Sequence, residues 1–478
     1  MSAAPSADAE VRAGEPGGRH PMLGSQGRLF LWPVVTTACV FGPYLIGGVR
    51  TEQLALLCSA LAAVVVLLVS RRLVPALRPG WPVLALWAAY AATAAVGGVL
   101  IESRIPWGSG SLVAGLDNAF LPLATMTVTA TWMVLFDKQH LVRILSWMVA
   151  GGMAANGAVA LATSYVGADR IPLLRLFWAA GGDDVTVAEL AAGNGRFSGI
   201  FNQPAEAGVA YSLAAFCLVH LMRSGTRVPT KVWLPLWALI VVGGLLTLSK
   251  IFVIGGVVVA GGLILSGRRH RLPLSMASVA VVVAAGVLAA VGGLGSWGAS
   301  GQLAWYVDSA RAGNSWAYTL SAGRFGDASA DAGSLGGEQA PSGDSGVPEE
   351  FQQPGGLVEL SRVVLDEHPW FGVGARGLPV SYDATWVETI IVAGLVGLVL
   401  MVGVHLFLLV RWWRLRGTLA REEWRLAGAV VLLVWGSSFG MPSLTGNRES
   451  SLMWILLALL VVFRSPSERS KPPAESQA

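Results

Sequence analysis

Apolar residues run through this chain in stretches of about 20, the length an α-helix needs to cross a bilayer. The stretches cover residues 29–48, 53–70, 81–101, 117–136, 143–165, 205–222, 232–248, 251–267, 274–294, 384–410, 425–441 and 450–464. None alternates apolar with polar residues as barrel strands do, so each is expected to be a helix that satisfies its own backbone. The pattern predicts an all-α fold, a polytopic membrane bundle of about 12 transmembrane helices. The first stretch is too long for a cleaved signal, and no small-residue cleavage site follows it before Val49 and Arg50. The pair 232–248 and 251–267 is read as two helices, because losing one would break the charge pattern downstream.

Composition agrees with that pattern. The chain is 54% hydrophobic and 13% charged, with a mean hydropathy of +0.60, whereas soluble domains carry about 25% charged residues. A net charge of +4 does not amount to a nucleic-acid footprint when its cations sit between membrane helices. Cys39, Cys58 and Cys217 all fall inside apolar stretches, which argues against a disulfide framework or a metal site.

Charge also sets the orientation. With the N-terminus in the cytoplasm and the chain alternating, 22 of the 33 Lys and Arg residues fall inside, and 21 of the 29 acids fall outside. This obeys the positive-inside rule and puts both termini in the cytoplasm. The expected organisation is a cytoplasmic tail (1–28), membrane helices one to nine (29–294), a large extracytoplasmic loop (295–383), helices ten to twelve (384–464) and a second cytoplasmic tail (465–478).

Two outer segments, 166–204 and 295–383, are longer than ordinary connections and invite a functional reading. Residues 326–356 hold six acids, no Lys or Arg, and many Gly, Ser and Pro, a linker composition. Just after them, apolar positions 357, 360, 364 and 365 recur at helical spacing, which predicts a short amphipathic helix lying along the outer face.

A charge at a membrane helix centre costs roughly 2.5–3.5 kcal/mol, so ionisable residues near apolar stretches are functional clues. Here they gather at the expected outer helix ends. Asp117 opens the fourth span, Glu206 the sixth, and Asp383 and Glu388 the tenth. Lys250 sits at the hairpin between spans seven and eight, and Arg196, Arg324 and Arg376 lie in the outer loops. Asp117 and Glu206 also suit plain helix N-termini, Lys250 a snorkelling hairpin and Arg324 a solvated loop. Glu388, one turn inside its helix, needs a partner. His368 is the one histidine on the expected outer side; His-Pro before Trp-Phe-Gly reads first as a turn that ends a helix. Taken together, the set describes an outward cationic pocket with carboxylates at its rim. Such a pocket suits a lipid with a phosphate or pyrophosphate head, since guanidinium donates paired hydrogen bonds to phosphate.

Three segments carry a resemblance. NGRFSGIFNQPAEAG, which includes Asn202, resembles an Arg-x-x-Gly-x-x-x-x-Pro element before a membrane helix. TLSKIFVIGG resembles a Ser-x-Ser-Arg helix start, with Lys250 in the Arg position. HPWFGVG, followed by a helix containing GLVG, resembles a His-Pro-x-Phe-Gly-x-Gly element and its downstream Gly-Leu-x-Gly. In this order the segments resemble the O-antigen ligase and O-antigen polymerase superfamily of bacterial envelope glycosyltransferases, over roughly residues 190–400.

That resemblance implies a glycan donor linked to undecaprenyl pyrophosphate, a polysaccharide or other hydroxyl acceptor, and no cofactor or metal. Arg196 would act catalytically on the pyrophosphate, with Lys250, Arg324, Arg376, Glu388 and Asn202 binding substrate. Ligases of this family often start the late helix with His-Asn; those positions fall on Asp383 and Ala384 here. Asp383 is therefore the expected base, with His368 as the alternative. The change points towards a polymerase, or a ligase with an acceptor other than lipid A. The implied place is the cytoplasmic (inner) membrane, with lipid around the protein and envelope-biosynthesis partners. A lipid-linked oligosaccharide transporter is the main rival; it calls for broken helices and polar residues near mid-bilayer. A non-catalytic scaffold is the other.

The topology has a direct check. Cysteines placed by Ser334→Cys and Ser470→Cys should differ on intact cells, the first labelled by an impermeant thiol reagent and the second protected. The reverse pattern would overturn the map.

Overall fold

The fold is given by a computed structural model and is described for residues 23–45, 49–69, 78–101, 112–178, 186–193, 195–225, 229–265, 311, 356–377, 384–446 and 448–463. The expected ninth span (274–294), the 326–356 segment, Arg324 and Asp383 lie outside the described residues. Among those described, helix is the only extended regular structure, with one isolated antiparallel bridge between Tyr44 and Arg50.

The helices are α1 (Leu23–Cys39), α2 (Thr51–Val69), α3 (Trp81–Leu100), α4 (Leu112–Leu135), α5 (Lys138–Val166), the short α6 (Val187–Gly193), α7 (Pro204–Arg223) and α8 (Thr230–Leu246). A π-helical turn, Phe252–Val259, runs into α9 (Ala260–Leu265). Then come α10 (Gly356–Glu367), α11 (Thr385–Arg414), α12 (Arg421–Ser437) and α13 (Arg448–Leu457), the last ending in a π-turn at Ala458–Val462.

Among the described residues, six helical stretches are long and apolar enough to cross a membrane: Thr51–Val69, Arg78–Leu100, Gly115–Leu135, Lys138–Val166, Pro204–Arg223 and Thr385–Gly417. Phe30–Cys39, Lys231–Leu246 and Phe252–Leu263 are apolar but shorter. The protein is thus a helical bundle of membrane character. α7 and α13 form its centre, buried on nearly every side. α2 lies at the periphery, with Leu54, Leu57, Leu61, Val65, Leu68 and Val69 exposed, an apolar surface of the kind that lipid covers.

Several expectations change. The first helix stops at Cys39 rather than 48, because Gly42 and Pro43 follow and proline cannot continue a helical ladder. Asp117 does not open its helix, since α4 begins five residues earlier, at Leu112. The 232–267 region is two helices, as read, joined by a tight turn in which Leu248 takes a left-handed conformation (φ 49°). The amphipathic helix is α10; Leu360 and Val364 are buried and Glu359 and Arg362 are exposed.

The largest correction concerns α11, expected as one unbroken span. At Gly394 the backbone leaves helical geometry (φ 60°, ψ −154°), a region essentially restricted to glycine. The ring of Trp386 stands 4.8 Å from that of His405, although 19 residues of continuous helix would separate them by about 28 Å. The segment 385–393 is therefore a half-helix folded back along 395–414.

A break of this kind exposes backbone groups that an apolar interior cannot solvate. The 369–374 loop supplies their partners. Val373 N–H donates to Ile391 O at 2.8 Å and Gly374 N–H to Val392 O at 3.0 Å; Leu395 and Val396 N–H donate to Pro369 O (2.8 Å) and Trp370 O (3.1 Å). Gly374 (φ 75°) packs directly on the backbone of Gly97 and Gly98, and Gly115 meets Ala375. Such close approach requires small residues on the facing helices. The glycines of HPWFGVG thus serve to close a helix break.

Gly394→Ala should lower the stability of the purified protein by about 1–3 kcal/mol from backbone strain alone, with crowding against Trp370 O added. Gly151→Ala, in the middle of α5 with open space around it, should be neutral or slightly stabilising. Thermal unfolding in detergent compares the two.

Candidate functional site

Among the described residues, a dense polar group forms at the starts of α2, α7 and α13 and beside Asp117, inside α4. Arg50 and Glu52 come from the entrance of α2, Asp117 from α4, Glu206 from the first turn of α7, and Arg448 and Glu449 from the first turn of α13. Arg50, Glu52, Glu206, Arg448 and Glu449 are buried. Arg50 pairs with Asp117 at 3.0 Å and approaches Glu52 at 3.5 Å. Gln53 donates to the same Asp117 oxygen, and Ser451 donates to Glu52.

Among the described residues, Arg448 makes no carboxylate contact of this kind. Its guanidinium donates to the carbonyls of Ile200 and Gly42 (the latter at 2.9 Å) and lies over the rings of Tyr44 (5.5 Å) and Phe177 (5.9 Å). A guanidinium suits this place, because its fork reaches two acceptors while its face stacks on aromatic rings. One side chain thereby ties the last helix to the 42–44 loop and to the segment after Arg196.

The 195–203 segment is held from several directions. Gly199 adopts φ 65°, where a Cβ would collide with the Asn156 carboxamide. The freed space lets buried Asn156, on α5, accept from Ile200 N–H (2.8 Å) and donate to Ser198 O (3.2 Å) and Tyr211 OH (2.9 Å). Trp178 donates to Gly199 O at 2.9 Å, and Asn202 donates to the Tyr44 hydroxyl at 2.7 Å. Upstream, Thr186 and Glu189 form a reciprocal capping box that starts α6, and Arg175 pairs with the same Glu189 at 2.9 Å. Burial works to raise the Glu189 carboxyl, but the bonds from Thr186 and Arg175 outweigh it and hold the group below its ordinary value.

The expected site residues divide into groups. Arg196 and Lys250 come to the same hairpin: Arg196 Nε donates to Thr247 O at 3.3 Å, and Phe197 N–H to Leu246 O at 2.9 Å. Both cations are half-buried. Glu388, buried in the first turn of α11, has the partner it needed in Thr445, whose hydroxyl donates to it. Asn202 joins the Arg448 group through Tyr44. Arg376 is exposed on the short turn Ala375–Gly377, which packs on α3, α4 and α11. His368 is a turn residue: its N–H closes on Val364 O at 2.8 Å and its carbonyl accepts from Gly372 N–H at 3.0 Å. Asp383 and Arg324 lie outside the described residues. Among the described residues, no three His, Cys, Asp or Glu groups stand close enough to hold a metal ion.

Sequence reasoning missed Arg50, Glu52, Tyr44, Asn156, Arg448 and Glu449. The charged ones had a signal: Arg50-Thr-Glu52 and Arg448-Glu449 each stand at the mouth of an apolar stretch, as Asp117 and Glu206 do. Asn156 had none, being one polar residue in a small-residue helix.

No protein-family model matches the chain, and no curated protein matches it.

Removing Arg50 strands two carboxylates. Arg50→Ala should cost about 3–5 kcal/mol, the range for breaking a buried pair from one side. Arg175→Ala, at an ion pair whose Arg side chain is 64% exposed, should cost less than about 1 kcal/mol. Denaturant or thermal titration in detergent measures the difference.

Proposed function

We propose that the protein is a cytoplasmic-membrane glycosyltransferase. It transfers glycan from an undecaprenyl-pyrophosphate-linked donor to an acceptor hydroxyl at the outer face, as a polysaccharide polymerase or ligase. The observation that carries this reading is the join between two of the three resembling segments. Arg196 and Phe197 bond to Leu246 and Thr247, three to four residues from Lys250, so two cations far apart in sequence share one hairpin. A pyrophosphate head needs such a pair.

In the reaction, the acceptor oxygen attacks the anomeric carbon as the bond from that carbon to the pyrophosphate oxygen breaks. The electron pair leaves with the lipid pyrophosphate, where Arg196 and Lys250 stabilise the growing charge. Asp383 takes the acceptor proton, and its place just ahead of the α11 N-terminus favours the ionised form it needs. Arg324, Arg376, Asn202 and Glu388 complete the binding set.

A second reading, transport of a lipid-linked oligosaccharide, is favoured by one specific observation: α11 is broken and folded back at Gly394, and discontinuous helices are a feature of transporter sites.

Purified protein with an undecaprenyl-pyrophosphate-linked oligosaccharide should form polymer or glycosylated acceptor and release undecaprenyl pyrophosphate. Arg196→Ala should abolish product without loss of protein, and Arg196→Lys should also be poor if the contact is bidentate. Asp383→Asn should lower turnover at least about tenfold with donor binding kept, and His368→Ala should cost less. Movement of intact donor across proteoliposomes without product would establish the transport reading instead.

A further inference from the structure

The group at the start of α13 carries an imbalance of charge. Among the described residues, two cations, Arg50 and Arg448, stand with four carboxylates, Glu52, Asp117, Glu206 and Glu449, and five of these six residues are buried. Arg50 is committed to Asp117 and Glu52, and Arg448 to the carbonyls of Ile200 and Gly42. Glu52 is further bonded by Ser451.

Glu449 differs from the other three. Its exposure is 0%, and apart from its own backbone N–H neither carboxylate oxygen has a hydrogen-bond partner among the described residues. Instead it lies within electrostatic reach of two further acids, Glu206 on α7 and Glu52 on α2, and of Arg50. A buried, unpaired carboxylate is among the costliest groups a protein interior can hold, and the usual relief is neutralisation.

A metal ion needs several ligands at once, and among the described residues no three His, Cys, Asp or Glu groups converge. A proton needs one oxygen. We propose that Glu449 is a proton-binding site: in the folded protein its carboxyl carries a proton at neutral pH, which removes the charge that its buried oxygens leave unpaired. The charged groups that set this proton's surroundings are Glu206 from α7 and Glu52 and Arg50 from α2; Tyr44 from the 42–44 loop and Asp117 from α4 act on Arg50, and Arg448 and Ser451 from α13 act on the same acids. Glu388 on α11 is linked to the same region through Thr445, three residues before Arg448. This inference holds whether the bundle transfers glycans or transports them.

The full chain, reconstituted in nanodiscs at pH 7, is examined by infrared spectroscopy, comparing wild type with Glu449→Gln. The wild-type-minus-variant spectrum should contain the C=O stretch of a protonated carboxylic acid, and that band should shift in D2O. A band from any other protonated acid, Glu388 included, cancels in the difference. Glu449→Gln should also keep the wild-type thermal midpoint, since glutamine is the neutral isostere of the protonated form, whereas Glu449→Ala should lower it. Absence of the difference band overturns the proposal. So does a Glu449→Gln protein as unstable as Glu449→Ala. A wild-type midpoint that falls when sodium is replaced by choline, with Glu449→Gln insensitive to the exchange, would assign the charge to a metal cation and also overturn it.

Discussion

Four backbone hydrogen bonds between residues 369–374 and 391–396 allow this bundle to contain a helix that stops and turns back. Within an apolar interior a free N–H or carbonyl has no water to fall back on, so a break at Gly394 is tolerable only with a local substitute. The substitute is a loop, and its fit depends on two layers of glycine, one in the loop and one on α3 and α4. Everything at the start of α11 follows from that fit. Thr385 reaches Ser438 and Met441 at the end of α12, and Glu388 reaches Thr445 ahead of α13. An unbroken helix through 385–414 would carry those residues far from both.

The same rule governs another non-helical stretch inside the bundle, 197–203. Its carbonyls are met by Asn156, Trp178 and Arg448, each on a different element. These polar side chains are few and individually placed, so each binds a particular turn of backbone. The bundle thus has an apolar majority that gives it a place and a polar minority that gives it a shape.

The apolar majority was easy to read from sequence. Stretches of bilayer length announce helices, and helical structure is found at eleven of the twelve expected positions, the twelfth lying outside the described residues. What escaped was every feature set by pairing across the bundle. The run around Gly394 is equally hydrophobic on both sides, so nothing in its hydropathy marks a reversal. The glycines on either side of the reversal were visible, but the backbone each one meets across the bundle was not. Arg448 and Glu449 were visible as charges, but the carbonyls that Arg448 meets lie on loops hundreds of residues away, and nothing local marked Glu449 as buried. Glu388 was correctly seen to need a partner; its identity, Thr445, depended on the fold-back.

Arg448 bonds to carbonyls 248 and 406 positions earlier in the chain, and this bears on the order of assembly. Membrane chains enter the bilayer from the N-terminus during synthesis, so Gly42 and Ile200 are in place long before α13 emerges. Until then both carbonyls, and the aromatic faces of Tyr44 and Phe177, have no cation to receive. The polar end of the bundle therefore closes only after α13 has emerged, 248 residues after Ile200 and 406 after Gly42, and biogenesis carries its own delay against forming this site early.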